Sequence, residues 1–571
     1  MNFSAIYHEA TSRYCCALAP GRFLFRLQTG RGDLRRVTLH TVDKYLALAR
    51  KATQRAVPMQ VAASSRFHDY YEAELSFQVV CLRYYFELED ADGAVCYYAN
   101  GQLVDTPPTN IDRMFDCPQT LREEERFQVP EWAQNAVIYQ IFPARFASSQ
   151  PVPDSVWYKA PIGPLADLKG DLRGIIGRLE YLAQLGVQVL YMTPIFFSHS
   201  RHKYDTVDYY RIDPDFGTKE DLLELVEKAH ALGMRVVLDG VFNHSSPEFF
   251  AFADLKKKGE ASAYKDWYYC RELPPRAPLG KANYKCFGYF WGMPKLNQQN
   301  PATAQYFIDV ALYWLREAGI DGWRLDVADE ISHSFWKTFR SAGKAQFPEA
   351  LIVGEVWHHS PDFLQGDEWD CAMNYPFHLA VLDLLAGGSI PVSRFLDELG
   401  FLRGTLHAQV YPLLWNLIGS HDTPRILHQV GGDCRKHRFA AALQLLWPGM
   451  PMIYYGDEVG MTGAHDPDCR RGMLWDPARQ NAETLAWYKT LLAARRQHPA
   501  ITRGRTVFTR TDDAAGAVEL TREWEGRRVT LLLHCGEGTL PLPAYAGRQE
   551  LLTGQPFAGA LGAYGVAVVE G

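Results

Sequence analysis

Short apolar runs in the middle of the chain end, one after another, in residues capable of acid–base chemistry. The run 235–238 leads into Asp239, with Asn243 and His244 close behind. Gly322-Trp323-Arg324-Leu325-Asp326 sets a guanidinium and a carboxylate two residues apart. Leu351-Ile352-Val353-Gly354 leads into Glu355, and Leu417-Ile418-Gly419-Ser420 into His421 and Asp422. Residues two apart on a strand share a face, so Arg324 and Asp326 point one way while Trp323, Leu325 and Val327 point the other. A guanidinium beside Asp326 is expected to hold that carboxylate ionised, and desolvation beside Trp357 to raise the pKa of Glu355. An ionised carboxylate opposite a protonated one equips a retaining glycosidase: one attacks the anomeric carbon, the other protonates the leaving oxygen. Any one of these carboxylates alone reads as a surface or ion-paired residue. The set at successive strand ends points to a single site.

Strand ends converge only if something positions the strands side by side. Asp171 could cap a helix ending at Gly186, and Thr218 could cap one over 219–232, whose Leu222, Leu225, Val226, Ala229 and Leu232 form one stripe. Asn300-Pro301 opens another that ends at Gly319. Each is followed by a short β-rich run, the αβ half of a βα repeat, and such repeats build parallel sheets. Continuing the count gives about eight strands between residues 137 and 458, which predicts a closed (β/α)8 TIM barrel with its site at the C-terminal strand ends. The alternative, an open doubly wound sheet, lacks a GxGxxG after the first strand. Residues 245–300 break the repeat, show no clean helix and hold 12 aromatics in 56 residues, as expected of a small inserted functional domain. Residues 1–120 read as an all-β unit, with strands over 22–27, 82–88 and 95–98. Pro107-Pro108 and the charged run 122–126 read as a linker to a catalytic unit over 121–502. Residues 503–571 return to short strands, a small C-terminal β-domain.

Composition bounds the function. The 571 residues are 47% hydrophobic and 22% charged, enough for full cores without widespread disorder. No run approaches the roughly 18 apolar residues of a membrane span. A net charge of −7 argues against nucleic acid as the main partner. Aromatics reach 13%, with 14 Trp and 30 Tyr, and flat rings suit sugars or bases. The first ten residues lack the basic-then-apolar start of a signal peptide. The 11 cysteines are scattered, without CxxC or zinc spacing, as expected of reduced thiols in the cytosol.

The segments 239–244, 322–326, Gly354-Glu355-Val356-Trp357 and Ser420-His421-Asp422 resemble, in order and spacing, the α-amylase superfamily, glycoside hydrolase family 13. The resemblance implies Asp326 as nucleophile, Glu355 as acid/base and Asp422 as a third carboxylate that stabilises the transition state. It also implies that His244, Arg324 and His421 bind the sugar in the −1 subsite. More narrowly, 293–297, Val327-Ala328-Asp329-Glu330, 202–206, 454–458 and 466–470 are similar to the cyclomaltodextrinase, neopullulanase and maltogenic amylase subfamily. Ala5-Ile6-Tyr7-His8 and the 82–98 hairpin resemble the β-sandwich of carbohydrate-binding module family 34.

The narrower resemblance implies an N-terminal β-sandwich, a barrel and a C-terminal β-sandwich. It implies Tyr204, Asp466 and Arg470 at the non-reducing end of the substrate, with His202 beside them, and Phe287, Trp357 and Glu330 on the acceptor side. The plainer readings are core packing for Phe287 and Trp357, a scaffold hydrogen bond for His202, and bracing for Asp239 and Asn243. The expected activity is cytoplasmic hydrolysis of α-1,4 bonds in cyclodextrins and linear maltodextrins, with pullulan a further candidate, by a homodimer in which one subunit's sandwich closes over the other's site. The alternatives are a glucanotransferase and a catalytically silent sugar-binding homologue. The first of two departures is Asp329, which adds a negative charge where the subfamily has Asn and bears on the balance of hydrolysis and transfer. The second is in the loop 146–154, where relatives bind calcium. Ser148, Gln150 and Pro153 replace oxygen ligands there, which leaves Asp154 and Asp171. No metal and no other cofactor are expected.

Overall fold

The structure is a computed structural model that describes residues 1–11, 13–49 and 54–571. Its centre is a closed barrel of eight parallel strands in chain order: β1 (Ile138–Ile141), β2 (Val189–Met192), β3 (Arg235–Gly240), β4 (Gly322–Leu325), β5 (Leu351–Gly354), β6 (Cys371–Asn374), β7 (Trp415–Leu417) and β8 (Met450–Tyr454). Pairing of β8 back onto β1 closes the sheet and excludes the open doubly wound alternative. The strands are apolar on both faces because both are buried. Ile138, Val189, Tyr191, Val237, Val353, Met373, Trp415 and Met452 fill the barrel interior. Their neighbours Tyr139, Leu190, Val236, Trp323, Ile352 and Ile453 pack outward on the helices. Strand alternation thus separates two cores from one short sequence.

Local signals account for most helix ends. Thr218 and Asp221 form a capping box on the helix Lys219–Ala231, whose buried face is Leu222, Leu225, Val226 and Ala229. Asn300 caps the helix Pro301–Glu317 through the Ala302 and Thr303 amides. The helix expected over 171–186 is two helices, Leu172–Ile176 and Leu179–Leu185, because the chain leaves helical geometry at Arg178. Residues 245–300 do contain a helix, Phe250–Lys258, contrary to the sequence reading. Phe252 on it packs edge-on against Tyr268 and Tyr284, at 4.8 and 4.9 Å, and these aromatics of the insertion join the main core.

The N-terminal unit is a sandwich of two antiparallel sheets around Phe23, Phe25, Leu27, Val37, Phe86 and Leu88. The charged run 122–126 is not a free linker. Most of it lies in the helix Gln119–Glu124, where Arg122 binds the Ala10 carbonyl and Glu123 accepts the Gly21 N–H at 2.5 Å. The sandwich is keyed to the barrel helix Val392–Thr405. A Cβ on Gly400 would stand 1.9 Å from the Ser64 carbonyl oxygen, and one on Gly404 would stand 2.2 Å from the Tyr70 ring. Between the two units Glu72 accepts from Arg26 at 2.8 Å and from Arg403 at 2.7 and 2.9 Å. At the C-terminus the antiparallel sheet of Arg505–Asp512, Ala517–Trp524, Arg527–His534 and Val566–Glu570 lays Val518, Leu531 and Val568 on the main core. Its other face, Leu532, Ala567 and Val569, is covered by Leu542, Phe557 and Leu561 of a short ribbon segment, which makes the second sandwich. Among the described residues no helix is long and apolar enough to cross a membrane.

Candidate active site

Register brings the chemistry together. Asp239 on β3 pairs across to Arg324 on β4, and Arg324 to Val353 on β5, so the guanidinium stands between the ends of three strands. Arg324 is wholly buried. Its Nη1 donates to both Asp239 oxygens at 2.9 and 3.0 Å and to Asp326 Oδ1 at 2.9 Å. Its Nη2 lies 3.0 Å from Glu355 Oε2. One cation thus serves three carboxylates. Asp239 also accepts the Tyr191 hydroxyl at 2.7 Å and the Tyr204 hydroxyl at 3.0 Å, which fills its oxygens with protein donors and makes it a brace. Burial pushes its carboxyl up to about 6, against Arg324 and Tyr191.

The charge state of Asp326 differs from the sequence expectation. Arg324 touches it but is shared. Burial and the facing Glu355 charge push the Asp326 carboxyl well above the usual range, with Arg324 opposing. Glu355 is held at both oxygens: Oε2 accepts the Val327 N–H at 2.9 Å and Oε1 the Trp357 indole N–H at 3.1 Å. Val327 reaches that position with φ +46° and ψ +48°, a left-handed conformation costly for a β-branched residue and kept here beside the candidate carboxyls.

The remaining polar groups ring this pair. His244 stacks on Phe287 (5.0 Å, 11°), and its buried Nε2 has no hydrogen-bond partner among the described residues and lies 4.0 Å from Asp326. Burial, aided by Lys295, lowers its pKa to about 3, so it is neutral and ready to hydrogen-bond a hydroxyl. His421 stacks on Tyr204 (5.4 Å, 4°), and its Nδ1 accepts from Gln140 at 2.8 Å. Its Nε2 is taken up by the Tyr204 hydroxyl and lies 3.3 Å from Asp422. Both nitrogens of His421 are therefore engaged by protein, unlike that of His244. Arg470 donates to the His421 carbonyl at 2.7 Å and reaches Asp422 at 3.3 Å and Asp466 at 2.9 Å, which links the strand β7 end to the loop after β8. Burial pushes the Asp422 carboxyl up, against Arg470 and Arg324. His202 lies along Tyr204 and accepts its backbone N–H at 3.1 Å.

Glu330 sits apart from this cluster. It is exposed and lies 3.2 Å from Lys295, on the wall of a polar cleft of about 260 Å³ that also takes in Tyr269, Gln298, Asp329 and Ser332. Burial raises the Asp329 carboxyl, and His358 lies 3.7 Å away. Three supporting residues escaped the sequence reading. Gln140 and Tyr191 lie in strands, and alternation along β1 and β2 could have pointed both inward. Tyr375 follows β6, a strand with no recognised polar signal at its end.

Known families and proteins match this chain along most of its length. The family described as "Alpha amylase, catalytic domain" matches residues 140–486, and "Alpha amylase, N-terminal ig-like domain" matches residues 1–120. A cyclomaltodextrinase of Geobacillus thermopakistaniensis (strain MAS1) is 41% identical over 567 residues, 98% of this chain and 96% of that one. Neopullulanase 2 of Thermoactinomyces vulgaris is 41% identical over 541 residues, 94% of this chain and 91% of that one. A solved cyclomaltodextrinase superposes with a TM-score of 0.93 at 36% identity and covers 100% of both chains. With eight barrel strands, a matching N-terminal unit and identity at this level along nearly its whole length, the chain belongs to the α-amylase family, glycoside hydrolase family 13, in its branch of cyclomaltodextrinases, neopullulanases and maltogenic amylases.

Proposed function

We propose that the protein hydrolyses α-1,4-glucosidic bonds in cyclodextrins and linear maltodextrins, and in pullulan, by double displacement with retention. The observation that carries this is the Asp326–Glu355 pair within reach of one buried guanidinium. In the first step Glu355 gives its proton to the glycosidic oxygen while Asp326 attacks C1, and the C1–oxygen bond breaks. In the second, Glu355 takes a proton from water, which attacks C1 and releases Asp326 with the α configuration restored. Asp422, held by Arg470, faces the positive charge that develops at the sugar ring. The free Nε2 of His244 and the guanidinium of Arg324 are suited to the −1 sugar hydroxyls, with Tyr204 and His421 forming the stacked wall. His202, Asp466 and Arg470 take the non-reducing end, and Phe287, Trp357 and Glu330 the acceptor side. NMR of the first product formed should show the α anomer, and an early β signal would exclude retention. Asp326→Asn should lower kcat at least about 10³-fold without unfolding the protein. Comparison of kcat/KM on β-cyclodextrin, maltoheptaose, pullulan and soluble starch ranks the substrates. A second reading, transfer of glucosyl units to another sugar, is favoured by the polar cleft beside Glu330. Product analysis at high acceptor concentration separates the two.

Three further assignments belong with this reading. Calcium is not held tightly at 146–154. Asp171 already accepts the Gly174 N–H at 2.6 Å and both the N–H and hydroxyl of Ser149, and Ser148 Oγ accepts the Gln150 N–H, so donors occupy oxygens a cation would need. Dialysis against EDTA should leave melting temperature and activity unchanged, and a loss restored by calcium would overturn the assignment. The protein resides in the cytoplasm, supported by eleven free thiols, most of them buried. It acts as a homodimer, for which sedimentation is the test.

A further inference from the structure

The indole of Trp357 is 45% exposed, yet it is rigidly placed. It lies flat on Tyr375, with ring centroids 3.9 Å apart and planes at 13°. Tyr375 is wholly buried, and its hydroxyl lies 3.2 Å from Ser420 Oγ, which in turn accepts the Asp422 N–H at 3.2 Å. A sugar-binding wall needs only a ring face. This ring also aims its one N–H at Glu355 Oε1, 3.1 Å away. Glu355 Oε2 is occupied from inside the barrel by the Val327 N–H and the Arg324 guanidinium. Oε1 is therefore the oxygen left to meet a substrate, and Trp357 holds it.

We propose that Trp357 is a positioning residue for the acid/base carboxyl: its indole N–H fixes the direction of Glu355 Oε1 and stabilises the carboxylate that remains once the proton has passed to the leaving oxygen. This rests on the assignment of Glu355 as proton donor. An N–H can only donate, so it favours the ionised carboxyl over the protonated one. Other groups act on Glu355 as well: Arg324 and Asp326 on and after β4, Asp239 on β3, Asp329, Tyr191, Tyr375 and His421. All of them stay in place when the indole is replaced by phenyl. Tyr375, at the end of β6, sets the plane of the indole and so its aim.

The test is Trp357→Phe, which keeps an aromatic face on Tyr375 and removes only the donor. With maltotriose, whose leaving group needs a proton, the basic limb of kcat/KM against pH should move up by about one unit, because Glu355 then holds its proton more firmly. A uniform fall at all pH values with the limb unmoved would overturn the proposal and leave Trp357 a wall for sugar. Wild-type kinetics on α-maltosyl fluoride, whose leaving group needs no proton, keep the two readings apart. If the basic limb persists with the fluoride, Glu355 is not the donor and the proposed mechanism fails with the inference. If it vanishes with the fluoride while Trp357→Phe leaves the maltotriose limb unmoved, the inference alone fails.

Discussion

At the scale of single residues, the two histidines of the candidate site are not equivalent. His421 spends both nitrogens on Gln140, Tyr204 and the neighbourhood of Asp422, whereas His244 keeps a buried Nε2 without a partner among the described residues. A buried polar atom left unpaired costs free energy unless a ligand satisfies it, so His244 is poised for a substrate hydroxyl. Its pKa of about 3 keeps it neutral through the working range. His244→Asn should therefore lower kcat/KM by about 10- to 100-fold. It should leave the acid limb above pH 4 where it is, because the His244 ring is already neutral there. Loss of the acid limb in this variant would show that His244 itself titrates there. His421→Asn should instead weaken the scaffold, since it breaks contacts to three protein groups.

At the scale of elements, the joint between sandwich and barrel depends on a buried carboxylate between two arginines. Burial pushes the Glu72 carboxyl up, but Arg403 and Arg26 outweigh it and hold it at about 2. Because the folded value lies below the ordinary 4.5, the stabilisation is fully present above that pH and is lost as pH falls toward 2. Glu72→Gln breaks the pair and leaves the buried Arg26 and the part-exposed Arg403 without their carboxylate, a change that costs up to about 3–5 kcal/mol. The variant should show a lower urea midpoint at pH 7, and its deficit should shrink below pH 4.5. An unchanged midpoint would mean that the glycine seam alone holds the units together. That seam is testable too: Gly404→Ala drives a methyl into the Tyr70 ring and should cost about 1–3 kcal/mol.

At the scale of the whole molecule, burial of neutral histidines makes the fold sensitive to acid. Burial lowers His8, His244, His407 and His437 to about 3 each. His8 shows how: one ring nitrogen bonds the Arg26 carbonyl at 2.7 Å and the other the Tyr84 hydroxyl at 2.8 Å, which fixes a neutral tautomer inside the sandwich. Between about pH 3 and 6.5 the unfolded chain binds a proton at each of these sites and the folded one does not. These histidines alone lower stability as pH drops, by up to about 1.4 kcal/mol per pH unit each, while Asp239 and Asp326, whose raised carboxyls take up protons in the folded state, act the other way. The thermal midpoint should decline steeply from pH 7 to pH 5. His437→Gln, which removes one such group from the barrel side, should flatten the decline. A midpoint constant across that interval would mean that these rings take up protons without unfolding.

The sequence alone determined where the candidate carboxylates lie, how many strands carry them and which helices space those strands. These are local signals: an apolar strand must end where it meets solvent, a cap satisfies its own first turn, and a glycine stop acts on its own residues. The tertiary structure decided charge and aim. Arg324 was legible beside Asp326, but its sharing with Asp239 and Glu355 follows from the order of neighbouring strands, and that sharing lets burial push Asp326 upward. The helix inside 245–300 and the helix in the charged run 122–126 were obscured because tertiary packing, rather than a clear periodicity, holds short segments. The indole N–H on Glu355 depends on Tyr375, which arrives from a strand with no signal of its own. A pKa or a hydrogen bond depends on every group within a few ångströms, and only the closed barrel decides which groups those are.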